Sequence, residues 1–435
     1  MSGPARQGTL KVPGLRAVIF EGNLARNFVP ITLTKPTFEL VLGCQTILDT
    51  LCNRLRIENP DLIVREHLRH LVSSRHPSTR INNFQLDDLV LFVNGLTNVV
   101  NPQVQKLLKL RKPFIALSDG IVVLARFPAK QAEKLQIRNG DEIELQLRRF
   151  SRGYTKYTLA NSSLIKFPWS LVELNSEMLN DQLLHYPVGD LDHGQSAVMG
   201  PANLLKIASD VEVGPHVVLD VRNGPIVIDS KAVIQSFSFI SGPAYIGEGS
   251  VIKSALIRAG TTIMKGGRIG GEVESSIIEE FSNKSHEGFI GHSYLGKWVN
   301  LGAMTTTSDL KNTYGNFRAS LGNYRVDTGL QKVGCFIGDY AKSSIGSMIL
   351  GSKKVGVSAH VRGDVFRDVP SFTFQPLGQS EGIVELDLES SLLTQERMMN
   401  RRGLSPSREE KEILKIIFGL TKDERRQAGA MPKRI

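Results

Sequence analysis

Residues 228–252 read IDSKAVIQSFSFISGPAYIGEGSVI, with Ile228, Ile234, Ile240, Ile246 and Ile252 each six residues apart. Ile257, Ile263 and Ile269 continue the series after a one-residue slip. It returns as Ile337, Ile349, Val355 and Val361, with Ser343 in the vacant place. A glycine follows the aliphatic residue at Val213, Ile246, Ile269, Ile290, Leu301, Ile337 and Val355. A six-residue period marks a parallel β-helix, in which each coil is a triangular turn of three short strands. The aliphatic residue points inward and stacks on its counterparts, while glycine and small residues take the tight corners.

Inside this repeat one stretch is polar out of proportion: Ser282-Asn283-Lys284-Ser285-His286-Glu287-Gly288-Phe289-Ile290-Gly291-His292-Ser293-Tyr294-Leu295-Gly296-Lys297-Trp298-Val299-Asn300-Leu301-Gly302-Ala303. Stacking needs only small and apolar residues, so His, Lys, Asn, Tyr and Trp gathered at one place point to a site. An imidazole has an unperturbed pKa of ~6.5 and suits proton removal near neutrality. His292 is the leading candidate base and His286, six residues earlier, the second. Lys284 offers a point charge for a phosphate.

Upstream, residues 15–125 alternate strand and helix. Leu15 to Phe20, Leu86 to Asn94, Pro113 to Leu117 and Ile121 to Ala125 read as strands, and Phe38 to Leu55 as helical. This order predicts an α/β, Rossmann-like domain with a mainly parallel sheet, whose ligands sit at the carboxyl ends of its strands. Phe20-Glu21-Gly22 and Asn94-Gly95 lie at two such ends. Ala129 to Leu135 and Pro168 to Leu184 read as further helices. The expected organisation is a flexible leader over 1–14, an α/β domain with its linker over 15–200, the β-helix over 201–380 and a helical basic tail over 381–435. Ser405 to Gly419 reads as a capped helix, either an arm on a neighbouring subunit or an ordinary terminal helix.

A chain of 435 residues has room for two or three domains. The net charge of +10 suits anionic sugar phosphates and nucleotides, but much of it lies between Arg397 and Arg434, where a solvated tail is the plain reading. No nucleic-acid motif accompanies the charge. The leader lacks an apolar signal core, and no apolar run could span a bilayer, so the expectation is a cytoplasmic protein with no membrane or nucleic-acid partner. Cys44, Cys52 and Cys335 are too few and scattered for a metal pattern or a disulfide framework.

The repeat and the run from Ile290 to Ala303 resemble the left-handed β-helix acyltransferases, and within them the acetyltransferase half of the bifunctional enzyme that makes UDP-N-acetylglucosamine. That family reads A-G-H-L-T-Y-L-G and then N-V-N-I-G-A-G-T. The resemblance implies that His292 is the general base on the amine of glucosamine 1-phosphate. It places Tyr294 and Asn300 near the sugar and Ala303 near acetyl-CoA; Thr305 is a further candidate for the acyl-CoA, and Lys284 and His286, on their own chemistry, are further candidates for the substrate. It also implies a homotrimer with sites between subunits. The chain departs from the pattern at three places: one residue fewer between His292 and Tyr294, Met304 for a small glycine, and Asp309 where related sequences often have Asn. An insertion of about a dozen residues, Lys311 to Arg325, interrupts the repeat.

Ala17 to Leu40 resembles an eroded sugar nucleotidyltransferase signature: Ile19-Phe20-Glu21-Gly22, Arg26, Pro30-Ile31-Thr32 and Lys35-Pro36 stand for L-A-A-G-x-G-T-R, P-L-T and P-K-P. The resemblance implies phosphate binding by Gly22, Arg26, Lys35 and Asn94. Asn94 replaces an Asp that holds Mg²⁺ in the family, and Asp87, Asp88 and Asp119 are the candidate substitutes. From about residue 15 to 425, the chain is similar to a branch of sugar nucleotidyltransferases related to the bifunctional N-acetylglucosamine-1-phosphate uridyltransferase/glucosamine-1-phosphate acetyltransferase. Pro168, Trp169, Leu171, Val172 and Asn175 belong to that likeness. Three functions follow as expectations. The first is a two-site transferase that acetylates an amino-sugar phosphate from acetyl-CoA and then transfers a nucleotidyl group from an NTP. The second is an acyltransferase with a degenerate sugar-nucleotide-binding domain. The third is a non-enzymatic sugar-nucleotide-sensing scaffold.

Overall fold

A computed structural model describes residues 15–85, 88–137, 139–186, 196–322, 324–376 and 382–432. The leader, the start of the 86–94 run with Asp87, and residues 187–195 of the expected linker lie outside the described residues. The chain divides into two compact units. One holds the N-terminal residues to Phe28, Lys35–Leu40 and Gln45–Phe167. The other holds Val29–Thr34, Val41–Cys44 and everything from Pro168 onward.

In the first unit a six-stranded sheet has the order Asp61–Ile63, Leu15–Phe20, Leu89–Asn94, Ile121–Pro128, Phe114–Ser118, Thr155–Thr158. Leu15–Phe20 runs parallel to both its neighbours, but Ile121–Pro128 is antiparallel to both of its own. The sheet is mainly parallel, as expected, with Ile121–Pro128 as its one antiparallel strand, because the tight Asp119–Gly120 turn, with both residues at positive φ, returns the chain as a hairpin. Val18, Phe20, Val90 and Phe92 are wholly buried with Ile143 and Leu147 of the helix Gly140–Phe150. The expected helix over 38–55 starts late. Residues 41–46 form two short strands around Gly43, at φ +77°. The helix is Ile47–Leu55, nucleated by the Thr46/Asp49 capping box.

The second unit is a parallel β-solenoid. Ile228, Ile234, Ile240, Ile246, Ile252, Ile257, Ile263 and Ile269 all enter one continuous core with Ile337, Ile349, Val355 and Val361. Three strand rows make the faces around the polar stretch. The first runs Arg268–Ile269, Asn283–Lys284, Asn300, Lys342–Ser343, His360–Val361. The second includes Glu272–Glu274 beside Phe289–Gly291, and Thr306–Thr307 beside Met348–Ile349. The third runs Ile277–Ile278, Tyr294–Leu295, Phe336–Ile337, Lys354–Val355. The corner before the first row recurs in the left-handed region, at Phe281, Trp298 and Tyr340.

Segments from near the start of the chain complete this unit. The Thr34 hydroxyl donates to Asp339 at 2.6 Å, Val41 N–H donates to the Tyr294 hydroxyl at 2.9 Å, and Gly43 N–H donates to Asn175 at 2.8 Å. The tail is only partly the solvated one expected. Leu388–Asn400 and Arg408–Leu420 are helices, and Val384–Glu385 pairs with the strand Thr373–Gln375 of the same chain. Arg425 is buried, bonded to Glu385 at 2.7 Å and stacked on Phe418. Among the described residues no helix is long and apolar enough to cross a membrane.

Candidate active site

His292 occupies the turn that leads from the second strand row to the third, at φ +46°. Its backbone is held at both ends: the N–H donates to Glu274 O at 3.1 Å and the carbonyl accepts from Gly334 N at 2.9 Å. One coil on, the equivalent turn carries Asp309, whose Oδ2 lies 2.7 Å from His292 Nδ1. A carboxylate only accepts, so Nδ1 is the nitrogen that donates to Asp309, and in the neutral ring the lone pair is on Nε2. Both side chains are mostly but not fully covered, at 13% and 12% exposure. Gly291 makes the approach possible, since a Cβ there would collide with Asp309 Oδ2 and the Phe289 ring.

The insertion begins at the next residue. It is an excursion from Leu310 to Lys332, closed at its base by a bridge between those two and by Val333 N–H on Asp309 O, and it carries the hairpin Arg318–Leu321/Tyr324–Asp327. Ser308, Lys311, Arg318, Arg325 and Lys353 line a cleft of about 440 Å³ between excursion and solenoid. Burial lowers the Lys353 pKa, offset by Asp368 and reinforced by Arg325 and Lys311.

The other nominated residues fall in different places. Tyr294 is fully buried, its hydroxyl donating to Glu279 at 2.5 Å while accepting from Val41 N–H, and burial, then Glu279, hold its pKa well above the usual phenol value. Lys284 points into the coil, where its neighbours in the row are Ile269 and Leu301, and donates to Gly270 O at 2.8 Å and His286 O at 2.6 Å. His286 is exposed. Asn300 lies in the first row, accepting from Asn283 at 2.8 Å. Thr305 faces inward against Ser343 at 2.7 Å, and Ala303 sits on a turn beside Met304, whose φ of +62° is one that glycine adopts more easily.

Burial brings the Lys284 pKa down to about 8, against a weaker opposite pull from Glu287. The unfolded chain then binds more protons than the folded one between about pH 8 and 10.4, so stability rises with pH across that window. We expect a gain of about 2 kcal/mol from this group. Urea midpoints measured from pH 7.5 to 10 check it: Lys284→Met should lose that slope, and an unchanged slope would refute the assignment.

In the first unit, the loop after Leu15–Phe20 is filled by the protein itself. Glu21 is wholly buried and accepts from Thr37 N–H at 3.0 Å, Arg65 N–H at 3.1 Å and the Arg65 guanidinium at 2.9 and 3.0 Å. Glu144 reaches over Gly22 to accept Asn23 N–H at 3.1 Å, and a Cβ on Gly22 would strike its carboxylate. Burial raises the Glu144 pKa, opposed by the bonds from Asn23 and Val122 and by Arg148. Asn94 is buried between Val122 O and Leu96 N–H. Lys35 is buried too, while Arg26 is exposed and 3.5 Å from Asp141. Asp119 pairs with Lys166. Among the described residues no group of three His, Cys, Asp or Glu is placed to hold a metal ion. The helix carrying Glu144 is one the sequence reading left out, although Asn139 followed by Asp141 and Glu142 is a legible start signal.

Residues 17–184 match the family model described as sugar nucleotidyl transferase. A bifunctional sugar-1-phosphate nucleotidylyltransferase/acetyltransferase of Sulfurisphaera tokodaii is 26% identical over 45% of this chain, an alignment spanning 43% of that relative's own length. A bifunctional protein GlmU of Methanococcus aeolicus is 22% identical over 79% of this chain and 92% of its own. Among solved structures, the UDP-N-acetylglucosamine acyltransferase of Francisella novicida aligns at a TM-score of 0.28 and 15% identity, covering 57% of this chain and 94% of that one. The chain thus joins a region that matches the sugar nucleotidyl transferase family model to a parallel β-solenoid, and is similar in sequence to bifunctional nucleotidylyltransferase/acetyltransferases.

Proposed function

We propose that this protein is an acyltransferase of nucleotide-sugar metabolism that moves the acetyl group of acetyl-CoA onto the amine of an amino-sugar phosphate at the His292 turn. The observation that carries the reading is the pairing of His292 with Asp309, whose chain neighbours Ser308 and Leu310 line a cleft that also holds Lys311, Arg318, Arg325 and Lys353. His292 Nε2 takes the proton as the amine nitrogen attacks the thioester carbon, and the same imidazolium returns it to the departing thiolate. Asp309 fixes the ring and faces the positive charge while it exists. The basic cleft takes the substrate's phosphate, by charge rather than shape. A homotrimer is the assembly this reading carries with it.

The test is a panel of amino-sugar 1-phosphates and acyl-CoAs, assayed for free thiol and acylated product; no turnover with any amino-sugar phosphate would sink the reading. Asp309 acts through His292 and is a positioning residue. We expect Asp309→Ala to lower kcat roughly 10–100-fold, as removal of a ring-orienting partner does elsewhere. Asp309→Asn should recover part of the loss because its Oδ1 still accepts from Nδ1. Equal loss in both, or a change in KM alone, would rule out the positioning role.

Glu21 and Glu144 favour a second reading for the N-terminal domain: a fold of the sugar nucleotidyl transferase family retained without nucleotidyl transfer. Carboxylates occupy the positions around Gly22 where a nucleotide phosphate would need backbone N–H groups. The expected result is no Mg²⁺-dependent pyrophosphate release from any NTP with a sugar 1-phosphate. Robust release restores the bifunctional reading.

A further inference from the structure

A second cationic cleft lies on the first strand row, away from the His292 turn. The helix Leu388–Asn400 and the turn after it cover this face, anchored where the Arg402 guanidinium donates to Gly266 O at 3.3 Å. The space beneath, about 110 Å³, is lined by Arg268 from the solenoid and by Arg401 and Arg402 from the turn. Asn283 and Asn300 form its floor, and Trp298 its wall, stacked on Phe281 at 4.5 Å between ring centres. The stack is a product of the fold: both aromatics occupy the same left-handed corner in successive coils.

Three guanidinium groups around one cleft repel one another. Burial, then Arg268 and Arg401, bring the Arg402 pKa down to about 10. Among the described residues lining the cleft there is no carboxylate. The side-chain amides add neutral donors without adding charge. An arrangement of this kind is relieved by an anion. Arginine is the residue whose planar fork matches phosphate oxygens two at a time. One phosphate monoester brings at most about two negative charges, so two linked phosphates match the three arginines better than one does.

We propose that the cleft between Arg268, Arg401 and Arg402 is a binding site for a diphosphate group, separate from the acyl-transfer site. A free diphosphate and the diphosphate of a nucleotide share this chemistry. Trp298 and Phe281 offer a surface to a base only in the second case.

The test is titration calorimetry on the full chain at low ionic strength, with inorganic pyrophosphate and with ADP. Arg268→Gln/Arg401→Gln should weaken both at least tenfold. Arg401→Gln alone, on an exposed side chain, should show part of the loss should the double variant fold poorly. Lys311→Gln/Arg325→Gln, which removes phosphate binding at the other cleft, should leave a site for both ligands that adding Arg268→Gln/Arg401→Gln then weakens at least tenfold. Tighter binding of ADP than of pyrophosphate would identify the nucleotide as the source, and equal binding the diphosphate alone. Absence of binding to the wild type, or binding lost only in the Lys311/Arg325 variant, overturns the proposal.

Discussion

His292→Ala is expected to lower kcat for acyl transfer by roughly 10²–10⁴-fold, the contribution of a positioned general base. KM should change little, because the cleft lined by Lys311, Arg318, Arg325 and Lys353 is untouched. The substitution carries a confounding feature: His292 is held at φ +46°, where alanine is strained. Asn tolerates that region better than alanine, so His292→Asn keeps the turn while removing the base. Its amide can still donate to Asp309. If the two variants lose activity together while their urea midpoints differ, the loss is chemical. Turnover within tenfold of wild type in either would show that the base is elsewhere, with exposed His286 the next residue to test.

Glu21→Ala is expected to destabilise the first unit by about 3–5 kcal/mol, the usual effect of removing one partner of a buried pair. Arg65 would keep its charge in a mostly buried place, and the backbone N–H groups of Thr37 and Arg65 would lose their acceptor. The first transition in urea should move to lower concentration. Glu21→Gln should cost less, because its carbonyl oxygen still accepts. Glu21→Ala combined with Arg65→Met should recover part of the loss. A destabilisation under about 1 kcal/mol would mean that water reaches the pair.

Much of the fold was legible because a β-solenoid writes itself as a period. Each isoleucine in the 228–269 series does one job, and the core records it. The same rule places Lys284: it stands where the row demands an inward side chain, a place its charge, read as a contact for a phosphate, did not announce. Only the Gly270 and His286 carbonyls, brought close by the coil, explain how an ammonium is accommodated there. Asp309 was noticed as a departure from related sequences, yet its meaning depended on stacking: 17 residues separate it from His292, one coil of this repeat. The first unit was less readable. Glu21 looked like a flaw in a phosphate loop. Its partner Arg65 is 44 residues away, with no local pattern to join them. The sheet is mainly parallel, as alternating strand and helix normally gives; the one strand that reverses, Ile121–Pro128, follows from the Asp119–Gly120 turn.

The hydrogen bonds from Thr34 to Asp339 and from Val41 to Tyr294 join residues 305 and 253 apart. Closing a loop of that length is costly mainly through its first few dozen residues, since each doubling adds only about 0.6 kcal/mol. Timing is the harder constraint. During synthesis the segments around Thr34 and Val41 leave the ribosome long before Tyr294 and Asp339 exist. They must remain uncommitted until the solenoid that receives them has been made. Any stop in translation before residue 294 leaves both early segments without their acceptors, and one before residue 339 still leaves Thr34 without its own.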